Sequence, residues 1–108
     1  MAFDEGLAER VRDVLVDHPV TEKKMFGGLC FMLRGHMLLG VNADNLMLRV
    51  DKGAYSQLLT LPHAREMDFT GRALKGFLYV GEDGYAEDED LEAWVSRCLT
   101  FNATKPAK

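Results

Sequence analysis

The sequence predicts a two-layer α+β domain, with helices packed on an antiparallel five-stranded sheet in the order α-βββ-α-ββ-α. Three observations carry that prediction. Apolar residues recur at helical spacing near both ends of the chain. Short apolar runs between them alternate as strands do, and turn-forming residues separate them. The length, 108 residues, suits one domain, here 1–104 with a frayed tail at 105–108.

Residues 3–17 place Phe3, Leu7, Val11, Val14 and Leu15 on one helical stripe, and Pro19 marks the exit. The next element runs from Lys23 to Leu33 and is read as one strand bent at Gly27-Gly28, where missing side chains permit a bulge or sharp twist. Arg34-Gly35 is a hairpin turn leading to a strand over His36 to Val41. Asn42 to Asn45 is a turn by composition. Leu46, Leu48 and Val50 then face one side of a strand, and Met47 and Arg49 the other.

Asp51 caps a short helix holding Tyr55, Leu58 and Leu59. A strand follows near Arg65 to Phe69, then a glycine-flanked loop, TGRALKG, over residues 70–76. Phe77 to Val80 is the last strand and Asp83-Gly84 a turn. Leu91, Trp94, Val95, Cys98 and Leu99 line the final helix, whose acidic start suits the positive end of the helix dipole. Fraying is expected to begin at Asn102.

Composition narrows the function classes. The chain is 47% hydrophobic and 28% charged, with a formal net charge of −4, which argues against a generic nucleic-acid binder but leaves room for a local basic patch. Cys30 and Cys98 form no CxxC or Cys/His cluster, so neither zinc nor a disulfide scaffold is expected and no cofactor is implied. The N-terminus lacks a signal-peptide pattern and no apolar run is long enough to span a membrane, so a cytoplasmic location is expected.

Catalytic patterns are weak. Gly27-Gly28 is followed by strand residues and no GK[ST], unlike a phosphate loop. Cys30 needs a base to form a thiolate, and His36, across the hairpin, would lie roughly 10 Å along the ladder. The acids from Glu87 to Glu92 lack calcium-loop spacing. The cations are more informative. Lys23, Lys24, Arg49, Arg72 and Lys75 lie in or beside the sheet region, and with Met25, Phe26, Gly27 and Gly28 they make up the expected interaction surface. Arg72 and Lys75 fall in the glycine-flanked loop, a composition that can bind anions.

The stretches KKMFGGLCFMLRGHMLLGV, NLMLRVD, MDFTGRALKGFLYV and LEAWV together resemble the TfoX/Sxy N-terminal domain family, over about residues 20 to 101. MFGG beside a meander is the most specific element, strengthened by GR-x-x-KG and Trp94. The resemblance implies a secretion-chaperone-like fold of the order given above. It also implies a link to regulation of competence for natural transformation, where fuller family members act as positive regulators with a transcription factor and carry a second, C-terminal domain resembling helix-hairpin-helix modules. Within residues 1–108 that second domain is not found. A non-enzymatic interaction module with a protein partner, such as a transcription factor, or a second copy of the chain is therefore the leading expectation. A small-molecule or nucleic-acid binding domain is the alternative.

Overall fold

A computed structural model describes residues 3–25, 27–69 and 72–105. Its first helix, α1 (Glu5–Val14), starts where the Asp4 carboxylate accepts the N–H groups of Gly6 and Leu7 at 2.8 and 3.3 Å. Leu7, Ala8 and Val11 are its buried stripe. Phe3 lies outside the helix and forms a parallel bridge with Ala43.

Six strands follow: β1 (Thr21–Met25), β2 (Gly28–Leu33), β3 (His36–Asn42), β4 (Asn45–Arg49), β5 (Ala64–Phe69) and β6 (Arg72–Val80). They make one antiparallel sheet in the spatial order β1-β2-β3-β4-β6-β5. The expected five strands become six because Gly27-Gly28 does not bend one strand; it reverses the chain. Met25 pairs with Gly28, so the chain reverses between them, and Gly27 has φ +74°. A kink and a tight reversal both call for glycine, so composition alone does not separate them. Gly28 also sits hard against β3, where an added Cβ would lie 2.1 Å from the Val41 carbonyl oxygen.

The later turns follow the expectation. Arg34 and Gly35 both have positive φ, 58° and 84°, as a type I′ turn needs. Asn42 pairs with Asn45 across a turn in which Ala43 has φ 52°. Asp51 caps α2 (Lys52–Leu58), accepting the Gly53 N–H at 2.9 Å. After α2 the chain returns as β5 and β6, and β6 docks on β4.

Strand β6 begins at Arg72 rather than Phe77, so Arg72 and Lys75 belong to a strand and not to a loop. Ladder pairing with β5 extends the strand: Phe69 pairs with Arg72 and Asp68 with Ala73. A one-turn helix, α3 (Glu82–Tyr85), occupies the segment expected to be a turn. The last helix, α4 (Asp88–Ala103), buries Leu91, Trp94, Val95 and Cys98, as its spacing predicts. Its end is anchored rather than frayed. Asn102 is buried, its amide donates to the Leu33 carbonyl at 3.1 Å, and Arg34 donates to the Asn102 carbonyl at 3.0 Å.

The main core lies between the helices and the inner sheet face, where Phe31, Leu39, Val41, Leu46, Leu48, Leu78 and Val80 are fully buried. At the sheet's edge, Arg12 of α1 makes a two-pronged ion pair with Glu22 of β1, at 2.8 and 2.9 Å, and also bonds Glu9. The guanidinium holds the Glu22 carboxyl below its ordinary range. The pair is over a third exposed on the Glu22 side, so Glu22→Gln should lower stability at pH 7 by less than about 1 kcal/mol. A depressed carboxylate contributes above its unfolded-state value, about 4.3, and that contribution fades as pH falls through the folded value. Urea unfolding of the two proteins should therefore draw together as pH falls below about 4.3 and coincide only once it is below the folded value. A gap that persists there would assign the effect to something other than the ion pair.

Candidate interaction surface

Directly opposed residues of an antiparallel ladder share a face. The register therefore traces one continuous row across all six strands of the outer face: Lys23, Cys30, Gly40, Met47, Tyr79, Arg65. The next row, Lys24, Leu29, Val41, Leu46, Val80, Ala64, points to the helices. Cys30, Met37 and Met47 form a second buried cluster on the outer face, with Met32, Phe77 and Tyr79 packed against it. No helix residue contributes to this second cluster among the described residues.

Gly40 explains how the outer face can bury sulfur-bearing side chains. An added Cβ there would lie 2.8 Å from the Met47 methyl and 3.2 Å from the Cys30 sulfur. Missing bulk on β3 thus makes room for its neighbours on β2 and β4. Arg49 lies two positions beyond Met47 on the same face and stacks over the Phe77 ring at 5.9 Å. Arg65 stacks over Tyr79 at 5.8 Å and also bonds Asn45. The outer face therefore has a sulfur-rich and aromatic centre, with Lys23, Arg49 and Arg65 around it. The row from Lys23 to Arg65 and the pair Arg49 and Phe77 contain no carboxylate.

The expected cationic surface is only partly brought together. Lys23 and Arg49 share the outer face, roughly 16 Å apart by strand spacing and rise. Lys24 is on the opposite face, since adjacent strand residues alternate. Both lysines are exposed and lie on the edge strand β1, where lysine also discourages strand addition. Gly27 lies in the turn between β1 and β2, and Gly28 opens β2. Phe26 lies outside the described residues, as do the side chains of Met25, Arg72 and Lys75. Arg65, Phe77 and Tyr79 complete the surface and were not singled out by the sequence. Their alternation was legible; that β6 lies beside β4 was not.

Neither thiol is prepared for nucleophilic chemistry. Burial pushes the Cys30 thiol up to about 11 and the Cys98 thiol to about 12, so both are neutral thiols at pH 7. Leu33 pairs with His36 as expected, which places that imidazole at the far end of the hairpin from Cys30. Among the described residues no group of three His, Cys, Asp or Glu side chains could hold a metal ion, and no helix is long and apolar enough to cross a membrane.

A family model described as TfoX N-terminal domain matches residues 14–102, which takes in every strand, α2, α3 and nearly all of α4. No curated protein matches the chain.

Proposed function

Because the chain belongs to the TfoX N-terminal domain family, whose members are associated with competence regulation, we propose that it is a non-enzymatic regulatory module that docks a protein partner on the outer sheet face. The observation that carries this reading is the row from Lys23 to Arg65, with Arg49 beside it: cations at both ends of a methionine and aromatic centre. Cys30, Met37 and Met47 are buried, so the accessible part of that centre is Met32, Phe77 and Tyr79, and arginine on an aromatic ring is a common interface anchor.

Charge selects the partner's chemistry. A face with three cations and no described carboxylate suits a segment that places apolar side chains between acidic ones. A symmetric pairing of the face with itself would bring Lys23, Arg49 and Arg65 of both copies together, which disfavours a second copy as occupant. A transcription factor with such an acidic segment fits the family's setting.

The test compares the full chain with a Lys23→Glu, Arg65→Glu double variant as bait in native lysate at low salt. Both residues are exposed, so the variant should fold. Wild type should retain a protein that the variant loses, and cross-links should map an acidic segment of it to β2, β4 or β6. Identical recoveries from both baits, or recovery of the chain itself alone as a dimer, would overturn the proposal.

A further inference from the structure

At the end of β4, where the outer face meets the last turn of α4, lies a cavity of about 410 Å³. That is within the size range of small-molecule sites. Arg49, Lys52 and Lys105 line it, together with the rings of Phe77 and Phe101. The Arg49 guanidinium lies 5.9 Å from the centre of the Phe77 ring, and the Lys105 ammonium 5.1 Å from that of Phe101. Each ring thus supports one cation at the rim. Three cations meet a single carboxylate, Asp51, which accepts the Gly53 N–H at 2.9 Å. In a chain of net charge −4 this is a local reversal of sign.

Gly76 gives the cavity its wall. Its φ of +90° favours glycine, and an added Cβ would press on the Val50 carbonyl at 3.3 Å and the Lys52 stem at 3.4 Å. The Val50 N–H donates to the Gly76 carbonyl at 2.8 Å and fixes that approach. The wall is therefore rigid backbone, while the cations are side chains free to converge on an anion.

We infer that this cavity binds a mononucleotide-like ligand, a phosphate monoester carried on a planar ring. Arg49, Lys52 and Lys105 take the phosphate, whose two charges at neutral pH match the local excess of cations. Phe77 and Phe101 offer the apolar ring surfaces against which a planar group stacks. A free nucleotide suits the cavity better than a long strand, because the protein's net negative charge opposes a polyanion outside it.

This inference is independent of the partner-docking reading, apart from sharing Arg49 and Phe77. Calorimetric titration of the full chain with AMP, adenosine and inorganic phosphate tests it. AMP should bind at least tenfold more tightly than either fragment. Lys52→Gln and Lys105→Gln should each weaken AMP binding at least threefold, while the Lys23→Glu, Arg65→Glu variant should leave it unchanged. The inference fails if AMP does not bind at millimolar concentration, if phosphate alone binds as well as AMP, or if the lysine variants bind as wild type does. Tighter binding of a short single-stranded oligonucleotide than of AMP, steeply weakened by salt, would also overturn it.

Discussion

Gly28→Ala is expected to destabilise the domain by about 3 kcal/mol, the upper end of what overpacking usually costs, or to prevent its accumulation. The alanine methyl would stand 2.1 Å from the Val41 carbonyl oxygen and 3.0 Å from the Asn42 Cα. Both atoms are backbone of the neighbouring strand, so no side chain can rotate away. Relief requires β2 and β3 to part, and these strands carry Phe31, Leu39 and Val41 at the centre of the core. Gly27→Ala makes the informative comparison. Its Cβ would meet only the Asn42 side chain, at 3.6 Å, and its φ of +74° imposes the left-handed penalty alone, about 1–2 kcal/mol. Urea unfolding followed by Trp94 fluorescence distinguishes the two. A Gly28→Ala protein within about 0.5 kcal/mol of wild type, the scatter of an ordinary surface change, would show that the close approach is not limiting.

Trp94→Ala is expected to have the largest effect among single core truncations, about 3–5 kcal/mol. The indole is buried, with its residue 6% exposed, and joins α4 to α3. It fills the core from α4, donates its Nε1–H to the Gly84 carbonyl of α3 at 3.1 Å, and carries the Arg97 guanidinium 4.7 Å above its ring. Trp94→Phe separates these contributions. Phenylalanine keeps most of the apolar volume and leaves the buried Gly84 carbonyl without its donor, a loss of about 1–3 kcal/mol. In a domain of this size about 1 kcal/mol shifts Tm by roughly 4–8 °C, so thermal scans should rank wild type, Trp94→Phe and Trp94→Ala in that order with clear gaps. Equal losses in the two variants would mean that the hydrogen bond, and not the ring, holds α3 against α4.

What the sequence made legible was local. Leu46, Leu48 and Val50 announce a strand with one buried face, Asp51 announces a helix start, and Arg34-Gly35 announces a tight turn. Each of these depends on neighbours within a few residues. The double glycine was ambiguous because a bend and a reversal need the same backbone freedom; the choice is made by Met25 meeting Gly28 and by Val41 crowding the latter. Strand β6 looked short because GRALKG has a turn-like composition, and only its partner β5 extends it. Met47 was correctly set opposite Leu48, yet it is fully buried, since Gly40 on the neighbouring strand admits it.

The candidate surface was harder to read for the same reason. Lys23 and Lys24 could be separated by parity alone, because consecutive strand residues point to opposite sides. Arg65, Tyr79 and Phe101 could not be joined to Arg49 without knowing that β6 enters beside β4 and that α4 ends over the same corner. A site spread over more than fifty positions of the chain leaves no motif.

The tie between Asn102 and the β2–β3 turn bears on how the domain is made. Strands β1 to β4 pair with sequence neighbours, so they can form while the chain is still growing, with little entropy lost to loop closure. Their inner face stays only partly covered, by α1 and α2, until α4 supplies Leu91, Trp94, Val95 and Cys98. The helix is latched only when Asn102 reaches Leu33 and Arg34, 69 and 68 residues earlier in the chain. During translation, at about 5–20 residues per second, the nascent sheet therefore waits several seconds with Phe31 and Leu39 open to other chains, and the last helical turn ends that exposure.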